Sequence, residues 1–211
     1  MPEALLDFSF EDAARARGFI RIAGVDEAGR GPWAGPVVAG AAILDRDDMP
    51  PALLSGLDDS KKLSAKRREE LFSLLGEDAE TSVGIATVEE IDALNILQAS
   101  LLAMRRAVEG LPAPADYALI DGNKWPDLSM EGETVVKGDS RSISIAAASI
   151  VAKVTRDRIM AEMDQAYPGY GWAGNAGYGT AEHQAGLVQL GVTPHHRKSF
   201  APIRKLLDPI S

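Results

Sequence analysis

A chain of 211 residues, 45% of them apolar, can bury one sizeable core, and the absence of cysteine excludes both a disulfide framework and a thiolate zinc site. Three histidines make a poor metal cage, and a net charge of −9 argues against loose, non-specific attachment to nucleic acid. Charged residues scattered from Glu3 to Arg17 exclude a signal-peptide core, and the longest apolar run, Val37 to Leu44, is too short to span a bilayer. The expectation is a soluble, cytoplasmic monomer forming a single domain over residues 1–211, with no membrane partner.

Residues 19–25 and Val37–Leu44 read as strands joined by a turn rich in glycine and proline, the pattern of neighbouring antiparallel strands. Residues 64–75 read as a helix capped by Ser64, with Leu71, Leu74 and Leu75 as its apolar stripe. A strand over 81–87 follows. Thr87 and Glu90 then form a capping-box pattern ahead of one long amphipathic helix ending near Gly110, where Pro112 and Pro114 break the chain. Residues 117–120 and 134–136 are short strands that run into Asp121-Gly122-Asn123 and Lys137-Gly138-Asp139.

From 142 to 167 a helix opens on Ala146, Ala147, Ala148 and Ser149, residues small enough for its backbone to lie close to a sheet, and its later turns are charged. Residues 168–179 contain five glycines and read as a loop shaped around a ligand; residues 180–191 are a last helix. Strands paired antiparallel and then alternating with helices describe an α/β fold, a mixed sheet covered on both faces with its site at strand ends.

Charge is uneven along this order. Residues 137–211 hold nine basic and six acidic side chains, a balance of +3, against −12 for the remainder. That asymmetry can hold a polyanion on the C-terminal part, although a solvated mixture of charges explains it equally well.

Asp26, Glu27, Asp121 and Asp139 each lie where an apolar strand meets a glycine-containing turn. If the strands are neighbours, the carboxylates converge, and like charges at about 4 Å repel by roughly 4 kcal/mol at an effective dielectric near 20, so cations must compensate them. Oxygen ligands without histidine or thiolate favour Mg²⁺ or Mn²⁺. Spacing alone leaves the alternative open, that these are separate turn and cap acids. Gly29-Arg30-Gly31-Pro32-Trp33-Ala34 formally fits a dinucleotide-binding fingerprint, but that motif must open a helix, whereas Pro32, Gly35 and Pro36 interrupt this stretch and a strand follows.

Eight blocks make a specific resemblance: Val25-Asp26-Glu27-Ala28-Gly29-Arg30-Gly31-Pro32, Ala34-Gly35-Pro36-Val37-Val38, Asp59-Ser60-Lys61-Lys62-Leu63, Asp121-Gly122-Asn123, Lys137-Gly138-Asp139, Ser144-Ile145-Ala146-Ala147-Ala148-Ser149-Ile150-Val151-Ala152-Lys153, Gly177-Tyr178-Gly179-Thr180 and His196-Arg197-Lys198-Ser199-Phe200. In this order, over residues 20 to about 202, the chain resembles the bacterial ribonuclease HII family. The resemblance implies a ribonuclease H-like fold, a mixed five-stranded sheet with helices on both faces and a helical C-terminal part. It implies cleavage of the RNA strand of RNA/DNA hybrids, including single ribonucleotides in duplex DNA, with Mn²⁺ or Mg²⁺ as cofactor.

By the same resemblance Asp26, Glu27, Asp121 and Asp139 are the catalytic and metal-binding acids. Gly29, Arg30 and Gly31 form the turn that reads the ribose 2′-hydroxyl, and Tyr178 lies beside the ribonucleotide junction. Residues 168–211 are then the substrate-binding part and 1–18 an extension with no assigned role. The family commonly carries lysine before Gly177, where this chain has Ala176. Individually, Arg30 is expected to face a phosphate, Lys153 to share a helix face with Ala146, His196 to be a structural hydrogen-bonder, and Trp33 to pack; Trp172 is left open.

Overall fold

This computed structural model describes residues 6–46, 48–58, 60 and 63–208, so Asp59, Lys61 and Lys62 of the third block lie outside the described residues. The elements run α1 Ser9–Ala16, β1 Ile22–Ala28, β2 Val37–Leu44, α2 Pro51–Leu54, α3 Ala65–Asp78, β3 Ala79–Ala86, α4 Val88–Leu94, α5 Ile96–Glu109, β4 Tyr117–Asp121, β5 Glu131–Val135, α6 Ile143–Ala166, α7 Trp172–Asn175, α8 Ala181–Leu190 and α9 Ala201–Leu207, with a 3₁₀ turn at Gly138–Ser140.

The sheet order is β3-β2-β1-β4-β5, antiparallel from β3 to β1 and parallel from β1 to β5. Strand alternation sends Ala23, Val25, Ala39 and Ala41 to one face, against Ala99, Ala103 and Ala107 of α5. Ala42 and Leu44 go to the other, against Ala147, Ala148 and Val151 of α6 and Leu71 and Leu75 of α3. The mixed five-stranded sheet with helices on both faces is therefore present. Among the described residues no helix is long and apolar enough to cross a membrane.

The α6 helix lies as near the sheet as its small residues suggest, and the strands contribute equally. A Cβ on Gly24 would stand 2.0 Å from the Ser144 carbonyl carbon, and one on Gly40 would stand 2.4 Å from the Ala148 oxygen. Only bare backbone on both sides permits this approach.

Several sequence expectations change in the structure, the strand expected over 134–136 running from Glu131 to Val135 among them. The strand expected over 19–25 runs from Ile22 to Ala28, so Asp26 and Glu27 belong to the paired strand instead of following it. The single helix expected up to Gly110 is two: Asn95, at φ 71°, ends α4, and its side-chain oxygen caps α5 by accepting the Leu97 and Gln98 N–H groups. The stretch 168–179 is not loop throughout, because α7 seats Trp172 in a core with Tyr170, Met160 and Leu187. The N-terminal extension carries α1, whose buried Glu11 accepts hydrogen bonds from Ser142 Oγ and the Ser144 N–H at the start of α6.

Candidate active site

β1 and β4 are parallel neighbours in the register Val25 to Ile120, so the next residues, Asp26 and Asp121, emerge side by side where the pairing of these two strands ends. Carboxylate oxygens of Asp26, Glu27 and Asp121 lie within 4.8 Å of one another. Asp139 is outside this trio but buried in the adjoining 3₁₀ turn, near enough for its charge to act on Asp26. The Gly138 N–H, donated to Asp121 Oδ1 at 2.6 Å, fixes that turn to the end of β4.

Burial pushes the Asp26 carboxyl well above the usual carboxylate range, and the Glu27 and Asp121 charges push it further, against an opposing hydrogen bond from the Glu27 N–H. Burial also raises Glu27, opposed by the Arg30 guanidinium 3.1 Å from its Oε1. Glu27 Oε2 is buried with no hydrogen-bond partner. An acceptor left orphaned beside two further carboxylates is costly until a cation takes its lone pairs, and an all-oxygen donor set suits a hard divalent ion. The residues present fit such an ion.

The trio opens into a cleft of about 350 Å³ shared with Gly29, Arg30, Gly31, Ser60, Ser149, Lys153 and Tyr178. Every residue expected at the site except Asp139 thus lines one cavity. A larger hollow of about 590 Å³ lies at the other end of the sheet beside Asp45, Glu77 and Glu80, but no converging ligand set was found there among the described residues. Arg30 is half exposed and in this state rests on Glu27. Tyr178 is likewise half exposed, and its ring edge would stand 3.1 Å from a Cβ on Gly31, so the glycine lets the ring lie against the turn. Gly29, at φ 97°, has the Arg156 side chain directly beneath it.

Lys153 points into the cleft and is paired with Asp157. His196 is fully buried and hydrogen-bonds His183 and Thr193, as a structural residue does, while Trp33 packs on the C-terminal core and Trp172 is wholly inside it. Sequence reasoning missed the Ser60–Ser149 hydrogen bond of 2.6 Å on the cleft wall, and it counted Arg156 and Arg197 among charges open to a polyanion. Both arginines are buried.

A sequence profile described as ribonuclease HII matches residues 23–203. A curated relative of that name from Ruegeria pomeroyi is 59% identical over 95% of this chain and 85% of its own length, and one from Rhodospirillum rubrum is 58% identical over 95% and 91%. The crystal structure of ribonuclease H2 from Pyrococcus horikoshii superposes with a TM-score of 0.74 at 29% identity, covering 89% of this chain and 97% of that one. A profile match across the sheet, the acidic cleft and the C-terminal helices, joined to relatives this similar along nearly their whole length, identifies the chain as a ribonuclease H enzyme that belongs to the ribonuclease HII family.

Proposed function

We propose that the chain hydrolyses the RNA strand of RNA/DNA hybrids and cuts on the 5′ side of a single ribonucleotide in duplex DNA, leaving 5′-phosphate and 3′-hydroxyl ends. The reading rests on one observation above all, a trio of carboxylates within 4.8 Å in the same cleft as the Gly29-Arg30-Gly31 turn and Tyr178. Asp26, Glu27 and Asp121 hold Mn²⁺ or Mg²⁺, with Asp139 completing a second position, and two such ions supply water activation and neutralise charge on the leaving oxygen.

The remaining roles belong to the chain's own groups. Arg30 exchanges its contact with Glu27 for a phosphate once the carboxylate is engaged. Gly29, Arg30 and Gly31 present backbone to the ribose 2′-hydroxyl, and groups built to bond that hydroxyl go unpaired on pure DNA, which discriminates by roughly 10⁴. Tyr178 lies against the sugar at the junction, Lys153 faces the phosphate path, and residues 168–211 form the substrate-binding part of a single domain. The setting is the cytoplasm, where such a cut opens ribonucleotide excision repair, and the protein acts as a monomer.

Incubation with duplex DNA carrying one ribonucleotide, in Mn²⁺ or in Mg²⁺, tests this. One incision 5′ of the ribonucleotide is expected, with activity reduced more than about a hundredfold in Asp121→Asn. An intact duplex, or Asp121→Asn cutting at the wild-type rate, defeats the reading.

A further inference from the structure

Arg156 and Arg197 lie beneath the Gly29-Arg30-Gly31 turn, 2% and 0% exposed, and every hydrogen bond recorded for their side chains goes to a backbone carbonyl. Arg197 donates to Gly29 O at 2.6 Å, Arg30 O at 3.0 Å, Gly35 O at 2.9 Å and Pro36 O at 3.2 Å. Arg156 donates to Pro36 O at 3.0 Å, Ala34 O at 3.3 Å and Ala176 O at 3.0 Å. A buried guanidinium is expensive, and a carboxylate opposite it is the usual compensation. Here the compensation is a ring of peptide dipoles, drawn from residues 29–36 with Ala176 O added on Arg156.

The consequence is geometric. In a trans peptide the C=O and the following N–H point in opposite directions, and no peptide among the described residues is cis. Drawing Gly29 O and Arg30 O down onto Arg197 therefore turns the Arg30 and Gly31 N–H groups up, toward the cleft that Gly29, Arg30 and Gly31 line. A cation on the oxygen of a peptide also strengthens its N–H as a donor.

We infer that Arg197, with Arg156 supporting it, is the positioning residue for ribose recognition: it orients and polarises two adjacent backbone N–H donors to meet a 2′-hydroxyl oxygen. This rests on the turn reading the ribose, as proposed above. It also accounts for two buried cations that touch none of the four acids. Neither arginine is a catalytic residue.

The full-length protein is tested in Ca²⁺ by fluorescence anisotropy with two duplexes, one all-DNA and one carrying a single ribonucleotide. Wild type is expected to prefer the ribonucleotide duplex. In Arg197→Lys, which retains the charge but cannot span four carbonyls, the preference falls about tenfold or more while all-DNA affinity moves less than about twofold. The Mn²⁺-induced rise in melting temperature stays at its wild-type value, because the carboxylates are untouched. A folded Arg197→Lys with unchanged preference overturns the inference. A wild-type protein without preference instead overturns the ribose reading beneath it. If Arg197→Lys does not fold, Arg156→Lys is measured in the same way. If neither folds, amide exchange by NMR on wild type decides: the Arg30 and Gly31 amides exchange rapidly in the free protein and are protected by the ribonucleotide duplex alone, whereas slow exchange in the free protein shows them turned inward and refutes the inference.

Discussion

Asp121 Oδ1 accepts the Gly138 N–H at 2.6 Å, so the carboxylate that joins the acidic trio also anchors the turn on which Asp139 is carried. Replacing Asp121 by asparagine keeps an oxygen for that bond and removes the negative charge. Because the Asp121 charge raises the Asp26 carboxyl, the metal-free Asp121→Asn protein is expected to melt at or above the wild-type temperature. Asp121→Ala also loses the hydrogen bond and is less stable than Asp121→Asn by about 1 kcal/mol, so it melts at a lower temperature.

Divalent ions that bind the folded trio and not the unfolded chain stabilise by about 2.7 kcal/mol at a hundredfold excess over Kd. For a domain of this size that amounts to roughly 5–10 °C in melting temperature. Saturating Mn²⁺ should produce such a rise in wild type and a much smaller one in Asp121→Asn. A calorimetric scan with no Mn²⁺ effect on wild type would refute clustering around a cation.

Glu11 makes the N-terminal helix part of the machinery's support. Its Oε1 accepts the Ser142 Oγ–H at 2.7 Å and the Ser144 N–H at 2.9 Å, a buried carboxylate at the positive end of the 24-residue helix that carries Ser149, Lys153 and Arg156. Glu11→Gln keeps an acceptor and loses the charge, at a cost of about 1 kcal/mol; Glu11→Ala loses both, at about 2 kcal/mol. Urea unfolding of the two variants gives that order, and equal midpoints would show that the contact contributes nothing.

His183 and His196 set an acid limit to stability. The Tyr178 carbonyl takes the His183 Nδ1–H at 3.0 Å, and the Thr193 N–H is donated to His196 Nδ1 at 3.0 Å. Both tautomers follow, with His196 Nε2–H donating to His183 Nε2 at 3.0 Å beside the Trp172 Nε1–H at 3.2 Å, so a further proton on His183 Nε2 meets two donors. Burial lowers His183 and, with the His183 charge adding to it, lowers His196 from 6.5 to about 4. Below pH 6.5 the unfolded chain takes up protons that the folded one refuses, so stability present at neutral pH is lost as pH falls through about 4. The loss is on the order of 2 kcal/mol after allowance for solvent screening. His196→Gln is expected to be less stable at pH 7 and to show a shallower fall between pH 7 and 4; parallel melting curves would refute the assignment.

What could be read from the sequence was local or periodic. Ser64 caps α3, and Thr87 and Glu90 form their box, because each such signal lies within three residues of its partner. The acids were visible as residues beside glycine-containing turns, although Asp26 and Glu27 lie within β1, and parallel pairing of β1 with β4 is what makes Asp26 and Asp121 neighbours. Asn95 escaped notice because the apolar stripe continues across it, while the break depends on a left-handed backbone that spacing does not encode. Arg156 and Arg197 look like surface charges in sequence, since their carbonyl partners stand up to 168 residues away. Glu11 is hidden for the same reason, 131 residues from Ser142.

Gly29 joins these long-range contacts to a single atom. A Cβ there would stand 1.9 Å from Arg156 Nε, and the φ of 97° is one that side-chain-bearing residues rarely adopt. In Gly29→Ala the turn must rotate or Arg156 must leave Pro36 O and Ala34 O, at about 2 kcal/mol in stability. Glu27 stands only two residues before Gly29, but the substitution leaves every carboxylate in place, so the Mn²⁺-induced shift in melting temperature should survive while affinity for a ribonucleotide duplex falls about tenfold or more. Melting with and without Mn²⁺, beside anisotropy on the same preparation, separates the two effects. Loss of the Mn²⁺ shift together with affinity would mean that the turn and the acids fold as one unit, and unchanged affinity would remove the turn from substrate recognition.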